Sequence, residues 1–503
     1  MQDLQEWLKQ HSFALNREGQ LIYQRPQAGA PWAELKREWE LVEQVQNGGG
    51  EQPRFPQLAG FFVFHAAADQ RLALLGQSAP YDPLTEAPTD PLQVLFARPD
   101  LEERLRKASE EAFGVGLVLS KIWGTPLRLH IGECDLEPSL PPSQEYIDQI
   151  QALPLASDQG DGIRSFIGLM LAINASGFPV LLIDEPEAFL HPPQARLLGR
   201  KLVADTADQT QVFVATHDRD ILQGVLEVPS REVTVIRLVR QGDQNLAAVL
   251  SPDRMREIWA DPLLRYSNVL EGLFHKGVVV SEADSDSRFY SAVLDASREA
   301  EQLAPHDLLF TQAGGKQRIP TVVRALASLS IPVAVTSDFD LLREDQPLQE
   351  IVELMNGSWT DIETDLRMLR SGVEDLGAAP PIEAVRADLN EILDEADGPR
   401  LARQESQRIR AATRLSDGWQ QAKRGGLAVL PQGDTATAGT RLLATLKRWS
   451  IFIVPVGELE RWEPDIENHG PRWVSSVLQN RRHEAPTQGA DAFIAEVAHA
   501  LET

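Results

Sequence analysis

Short apolar runs that stop at polar turns, with helix-periodic stretches between them, constrain this chain more than any other feature. Val180 to Ile183 and Gln211 to Ala215 are two such runs, and Pro192 to Thr206 between them has helical spacing. Runs of this kind read as buried parallel strands. Proline at the opening of the intervening helix is tolerated, because that N–H has no helical partner anyway. A strand–helix–strand rhythm implies an α/β layered fold. The rhythm restarts after Pro262: Gly277 to Val280, Leu308 to Thr311 and Pro332 to Thr336 read as strands, Ser285 to Leu294 and Ile319 to Leu329 as helices. Residues 345–425 are charged and helical, which reads as an insertion. Leu427 to Leu430, Leu442 to Trp449 and Ile451 to Val454 then resume the alternation.

A chain of 503 residues exceeds one ordinary core. The expected division is 1–150 as the first part of an N-terminal lobe, 151–265 as the remainder of that lobe, 266–460 as a second α/β domain, and 461–503 as a helical C-terminal cover containing Trp462 and Trp473. Residues 1–150 show a helical opening (Leu4, Trp7, Leu8), a glycine-rich loop (Asn47 to Gly50), a buried strand (Gly60 to His65) and a Pro-rich loop near Pro80 to Pro91. A helix over Leu101 to Phe113 and a strand over Leu127 to Gly132 follow. Val233 to Leu238 and Ala247 to Leu250 read as strands closing the first lobe.

No apolar run reaches the roughly 18 residues of a membrane span, and the N-terminus lacks the basic and apolar regions of a signal peptide. The lone cysteine, Cys134, excludes an intrachain disulfide and a cysteine-based zinc cluster. These features point to a cytoplasmic protein with no membrane partner. The net charge of −26 speaks to solubility, not to a local groove. Charge is segregated: Glu344 to Asp397 is acidic, while Arg400 to Arg424 holds seven Lys/Arg against two acids. That strip suits either a phosphate track or a solvated helix face.

Two constellations carry chemistry. In the first, Val180-Leu181-Leu182-Ile183 ends in Asp184-Glu185, and Gln211 to Ala215 ends in Thr216-His217-Asp218. Nucleotide hydrolysis needs such an acid pair, one holding Mg²⁺ and one polarising water, and His217 at the neighbouring strand's edge stands where an imidazole would sense a γ-phosphate. Upstream, Ser157, Gly160, Asp161, Gly162 and Arg164 form a small-residue turn opening a helix, whose free N–H groups make an anion site. In the second, Gly277 to Val280 leads to Glu282, with Asp286 four residues on in the first helical turn. A later strand ends in Asp338-Phe339-Asp340. Carboxylates gathered at strand ends suit Mg²⁺ or Mn²⁺ rather than zinc, and Glu282 reads as general base or ligand.

The run LLIDEPEAFLHPPQ, with VATHDRD after it and SDQGDGIRS before it, resembles the Walker B, D-loop, switch-histidine and signature segments of ABC-type ATPases. The G-x-x-x-x-G-K-[S/T] phosphate loop of those enzymes does not occur in the sequence. The expectation is therefore a lobe either lacking an N-terminal segment or degenerate in its own ATP site. In ABC-type heads two subunits sandwich ATP, so the resemblance implies a homodimer with Asp161, Gly162 and Arg164 acting in trans. Glu282/Asp286 with Asp338/Asp340, and the turn Thr311 to Lys316, resemble the Toprim fold; Ala283 departs from the glycine common there. An ABC-type lobe followed by Toprim is the architecture of OLD (overcoming lysogenization defect) nucleases. The five tyrosines have no topoisomerase setting, and one cysteine supplies no primase zinc ribbon. The resemblance covers about residues 150–460. It implies a DNA endonuclease using Mg²⁺ or Mn²⁺ with an ATP-binding module, in phage defence or DNA maintenance. It further implies a catalytic lysine, for which Lys423 is the candidate, and late acidic ligands, for which Glu458 and Glu460 are candidates. The competing reading is a non-catalytic dimerisation or regulatory subunit that binds nucleic acid or a partner protein.

Overall fold

The computed structural model describes residues 13–15, 21–23 and 63–502, less 83–87, 89, 176–177, 209, 230, 262–267, 378–381, 395–405 and 410–416. The helical opening, the loop Asn47 to Gly50, the start of the Gly60 to His65 strand, part of the Pro-rich loop and most of the strip 400–416 lie outside the described residues. The chain forms two units, Met1–Val233 and Thr234–Thr503.

In the first unit, β1 (Phe13–Leu15) pairs antiparallel with β2 (Leu21–Tyr23). Strands β3 (Val63–Ala66), β6 (Val180–Asp184) and β7 (Gln211–Ala215) make a parallel sheet in that order. β4 (Leu117–Leu119) and β5 (Leu129–Ile131) form a small antiparallel pair. One face of the parallel sheet carries the core: Phe64, Leu181 and Ile183 are buried with Phe166, Met170 and Leu198. The helix Asp161–Ala175 is apolar for most of its length and almost wholly buried there. Gly168 lets it cross the helix Ala68–Ala73 closely, since a Cβ would lie 2.1 Å from the Arg71 carbonyl oxygen.

β6 and β7 read from sequence as buried strands, but Leu181 and Ile183 of β6 are buried while the inward residues of β7, Val212 and Val214, are only half-buried. His65, Leu182 and Phe213 are in register across the sheet and exposed on the other face. Side chains alternate across a strand, so an all-apolar run says nothing of whether the second face is covered.

In the second unit, β8 (Val235–Gln241) and β9 (Gln244–Leu250) pair with each other, antiparallel. By sequence these two strands are expected to close the first lobe. They group instead with the second unit, where buried Arg237 donates to the carbonyls of Leu273, His275 and Ser330. The main sheet is parallel, with β10 (Gly277–Ser281), β11 (Leu308–Gln312), β12 (Val333–Ser337) and β13 (Ile451–Ile453) in the order β11-β10-β12-β13. Every residue of β10 and of β12 is buried, as continuous Val-rich runs require of central parallel strands.

Helices Asp345–Leu354, Trp359–Leu376, Ile382–Asp394 and Gly418–Gly425 lie between β12 and β13. Leu427 to Leu430, expected as a strand, is instead a 3-10 turn over Gly426–Val429 and its cap. Gly426 has φ +56°, and a Cβ there would lie 1.9 Å from the Pro455 carbonyl oxygen, which also accepts from the Leu427 N–H. That bend leaves no extended run to pair. The C-terminal helices Pro471–Gln479 and Ala490–Glu502 pack on the helix Asp284–Ala300. Trp462, Trp473, Phe289, Tyr290 and Ile494 are buried together, so this region is a wall of the core and not only a cover. The Trp462 indole donates to the Tyr290 hydroxyl at 3.2 Å. Buried Glu463 accepts from Arg482 and from the Thr487 N–H and hydroxyl.

No described helix is long and apolar enough to cross a membrane.

Candidate functional site

In an open parallel sheet, ligand sites form where the carboxyl ends of the strands meet. β10 and β12 are neighbours. Glu282 follows the last residue of β10, and Asp338 and Asp340 follow the last residue of β12. The structure brings these three together: one oxygen of each carboxylate lies within 4.8 Å of the others. Asp338 Oδ1 and Asp340 Oδ1 are buried and have no hydrogen-bond partner. Ser337 Oγ donates to Glu282 Oε1 at 2.5 Å. The Ala283 N–H donates to Asp286 Oδ2 at 3.0 Å, closing the first turn of the Asp284–Ala300 helix. Ala283 has φ −133°, so alanine fits this turn without strain.

Clustering acids away from water raises their affinity for protons. Burial lifts Glu282 above the usual carboxylate range, with Asp340 adding repulsion against the Ser337 bond. Asp286 is pushed up to about 7, by burial first and then by Glu282. Asp338 is raised furthest, by burial and by the charges of Glu282 and Asp286. Such a set is costly without a cation.

Two lysines supply positive charge. Lys423 Nζ lies 3.4 Å from Asp338 Oδ2 and 3.3 Å from Asp340 Oδ2. Burial lowers the Lys423 pKa, but Asp338 and Asp340 outweigh it and the net shift is upward. Lys316 Nζ, which the sequence reading noted only as part of a turn, lies 3.2 Å from the same Asp340 oxygen. Glu458 and Glu460 lie outside the three-carboxylate cluster. Glu460 accepts from the Gly470 N–H at 2.7 Å and faces His469, while Glu458 faces Arg461. The basic strip contributes Lys423 to this site; of 400–416 only 406–409 are described.

In the first unit, Asp184 ends β6, and Glu185 follows with φ +43°. His217, past the end of β7, has Nδ1 3.3 Å from Glu187 Oε1 and 3.6 Å from Glu185 Oε1. The more intimate partner is thus Glu187, which is buried and also accepts from the His217 N–H at 3.3 Å. Its other oxygen is buried without a partner. Arg71, fully buried, donates to the carbonyls of Asp184 at 3.0 Å and Glu185 at 3.2 Å. Burial lowers its pKa, and Glu187, Asp184 and Glu185 pull it back. Neither is marked in the sequence: Glu187 follows Asp184-Glu185 within one acidic run and looks no different from Glu185, and Arg71 lies in no motif. Ser157 is in a 3-10 turn before Gly160, and Asp161 opens the long helix with Arg164 Nη1 3.0 Å from its carboxylate. A Cβ on Gly162 would lie 2.7 Å from the Phe189 carbonyl oxygen, so this turn sits directly against the segment after the acid pair.

Residues 144–222 match the family described as AAA domain, putative AbiEii toxin, Type IV TA system. An uncharacterized protein of Methanocaldococcus jannaschii is 31% identical over 105 residues, which is 20% of this chain and 90% of that protein. The chain belongs to the same family as that archaeal protein. Its first unit carries an AAA-type ATPase domain. Among solved structures, one from structural work on ATP-driven dimerization and DNA-stimulated activation of SMC ATPases aligns with 33% of this chain and 92% of its own, at 12% identity and a TM-score of 0.23. An SMC head bound to the C-terminal winged-helix domain of ScpA aligns with 39% of this chain and 57% of its own, at 12% identity and a TM-score of 0.28.

Proposed function

We propose that this chain is an OLD-like protein whose second unit hydrolyses DNA phosphodiesters at a Toprim-like centre holding Mg²⁺ or Mn²⁺. The observation that carries the reading is the carboxylate cluster Glu282, Asp338 and Asp340, with two buried oxygens lacking any partner and a lysine against it. All-oxygen donors gathered this tightly fit a hard divalent cation. Asp338, Asp340 and Glu282 would hold it, with Asp286 beside them. Bound there, such ions supply an activated water and charge stabilisation for a departing oxygen. Lys423, against Asp338 and Asp340, would donate to a phosphoryl oxygen as negative charge builds. Ser337 keeps the Glu282 carboxylate in one orientation, suited to holding a ligand or taking a proton.

The first unit we read as an ATPase-type lobe that pairs with a second copy. Asp184, Glu185 and His217 would serve nucleotide and Mg²⁺, and Ser157, Gly160, Asp161, Gly162 and Arg164 would face the partner's nucleotide. The second reading, an ATPase-like dimerisation or regulatory subunit, has one observation in its favour: the G-x-x-x-x-G-K-[S/T] loop does not occur in the sequence. That loop's N–H cradle and lysine are what normally hold the β- and γ-phosphates.

The test is cleavage of supercoiled plasmid with Mg²⁺ or Mn²⁺, with and without ATP, by the full chain and by Asp338→Ala. Metal-dependent nicking lost in the variant supports the nuclease. Absence of cleavage with either metal, with and without ATP, overturns a stand-alone nuclease in favour of the regulatory reading.

A further inference from the structure

Two lysines from distant parts of the second unit converge on one carboxylate oxygen. Asp340 Oδ2 lies 3.3 Å from Lys423 Nζ and 3.2 Å from Lys316 Nζ, while Asp340 Oδ1 is buried with no partner. Lys316 is also 3.3 Å from Glu344 Oε1, and Glu344 accepts from Gln317 through its other oxygen. This lysine is not a loose surface residue: its side chain is 23% exposed and the turn that delivers it is closely built. Gly314 and Gly315, at φ +78° and +114°, both donate their N–H groups to the Glu282 carbonyl. The backbone that places Lys316 on Asp340 is thereby bonded to the residue beginning the acid cluster.

A single carboxylate needs one positive charge. Two ammonium groups on one of its oxygens, beside Glu282 and Asp338, put roughly a dication's worth of charge at the cluster's edge without any ion. Asp340 Oδ1 is open to a divalent cation, but an ion bound there repels both ammonium groups on Oδ2 and pushes them off that oxygen, at a cost to its own binding. Lys423 keeps company with Asp338 and Lys316 with Glu344, but each loses a partner. A nucleic-acid phosphate is the group best able to take up the released lysine.

Resting on the metal-centre reading above, we infer that Lys316 is a placeholder cation: it competes with the divalent ion for Asp340, and a DNA phosphate relieves the competition by accepting it. Metal and DNA binding are then positively coupled, and the coupling is reciprocal. An idle site holds metal weakly and a DNA-loaded site holds it tightly, which limits hydrolysis chemistry to the occupied protein.

The experiment is Mn²⁺ binding to the full chain, read from the EPR signal of free Mn²⁺, with and without a phosphorothioate-linked DNA duplex. The wild-type chain is expected to bind Mn²⁺ at least about fivefold tighter with duplex than without. Lys316→Met is expected to bind it about fivefold or more tighter than wild type without duplex, and to gain little from adding it. Lys316→Arg, which keeps the charge, is expected to retain weak binding without duplex. An unchanged urea midpoint checks that the variants fold. Lys316→Met with wild-type affinity and wild-type coupling overturns the inference and leaves Lys316 a pin for the turn. Absence of Mn²⁺ binding, or binding indifferent to Asp338→Asn, overturns the metal centre itself and is distinguishable from that result.

Discussion

Ser337 donates its hydroxyl to Glu282 across the ends of two neighbouring strands, at 2.5 Å. One residue behind, the hydroxyls of Ser281 and Thr336 meet at 2.8 Å in the buried interior. These paired rungs hold the two strand ends at fixed separation and aim the Glu282 carboxylate. The Ser337 bond favours the ionised form, opposing the upward push of burial on Glu282. Ser337→Ala is therefore expected to raise the Glu282 pKa further and to move the pH profile of Mn²⁺ binding to higher pH. A profile superimposable on wild type would show that the bond does not orient a ligand.

Lys423→Met removes the charge facing Asp338 and Asp340 while keeping much of the side chain's length. On the proposed nuclease, cleavage is expected to fall by about 10²–10³, the usual cost of losing one donor to developing negative charge. DNA affinity should change far less than the cleavage rate. Equal losses in both would make Lys423 a simple binding residue, a result that single-turnover kinetics separates from the first.

Asp286 gives a pH dependence whose sign is fixed. Its folded pKa, about 7, lies above the ordinary carboxylate value near ~3.9, so the folded chain binds the extra proton between them. The contribution to stability is present below about pH 4 and is lost as pH rises to about 7. Without metal, Asp286→Asn should remove that slope, leaving the variant relatively more stable near neutrality. Urea unfolding followed from about pH 4.5 to 7.5 checks it; parallel slopes for the two chains would discard Asp286 as the titrating group.

Arg71 should be a structural keystone of the ATPase-type unit. Arg71→Met leaves the Asp184 and Glu185 carbonyls without this donor, at about 1–3 kcal/mol for each one left unsatisfied. A lowered urea midpoint is expected. So is greater amide exchange at Asp184 to Glu187, where the chain turns through φ +43°. Unchanged exchange there would mean the turn holds its shape without the guanidinium.

Much of the second unit's site was legible because its signals are local. An apolar run that ends in Glu282, or in Ser337-Asp338-Phe339-Asp340, places a carboxylate at a strand's end whatever the rest of the chain does. Lys423 was reachable only through resemblance, and Lys316 was read as a turn residue. Leu427 to Leu430 has a strand's composition, yet Gly426 and its contact with Pro455 decide a 3-10 turn. β8 and β9 were recognisable as strands, but their side-chain pattern does not say which unit they join. Buried Arg237 and its three carbonyl partners do.

The sequence by itself determined the parallel strands of both units, the positions of the acids past them, and the charged insertion between β12 and β13. Those features follow from periodicity and from turn chemistry over a few residues. Only the tertiary structure decided that Arg71 lies beneath the Asp184 turn, that Glu187 is the closer partner of His217, and that Lys316 and Lys423 share Asp340. It also decided that Trp462 and Trp473 fill the core beside Tyr290. The reason is physical. Strand register and crossover connections bring together residues far apart in sequence, and the energy of such contacts depends on burial and on what else shares the same oxygen.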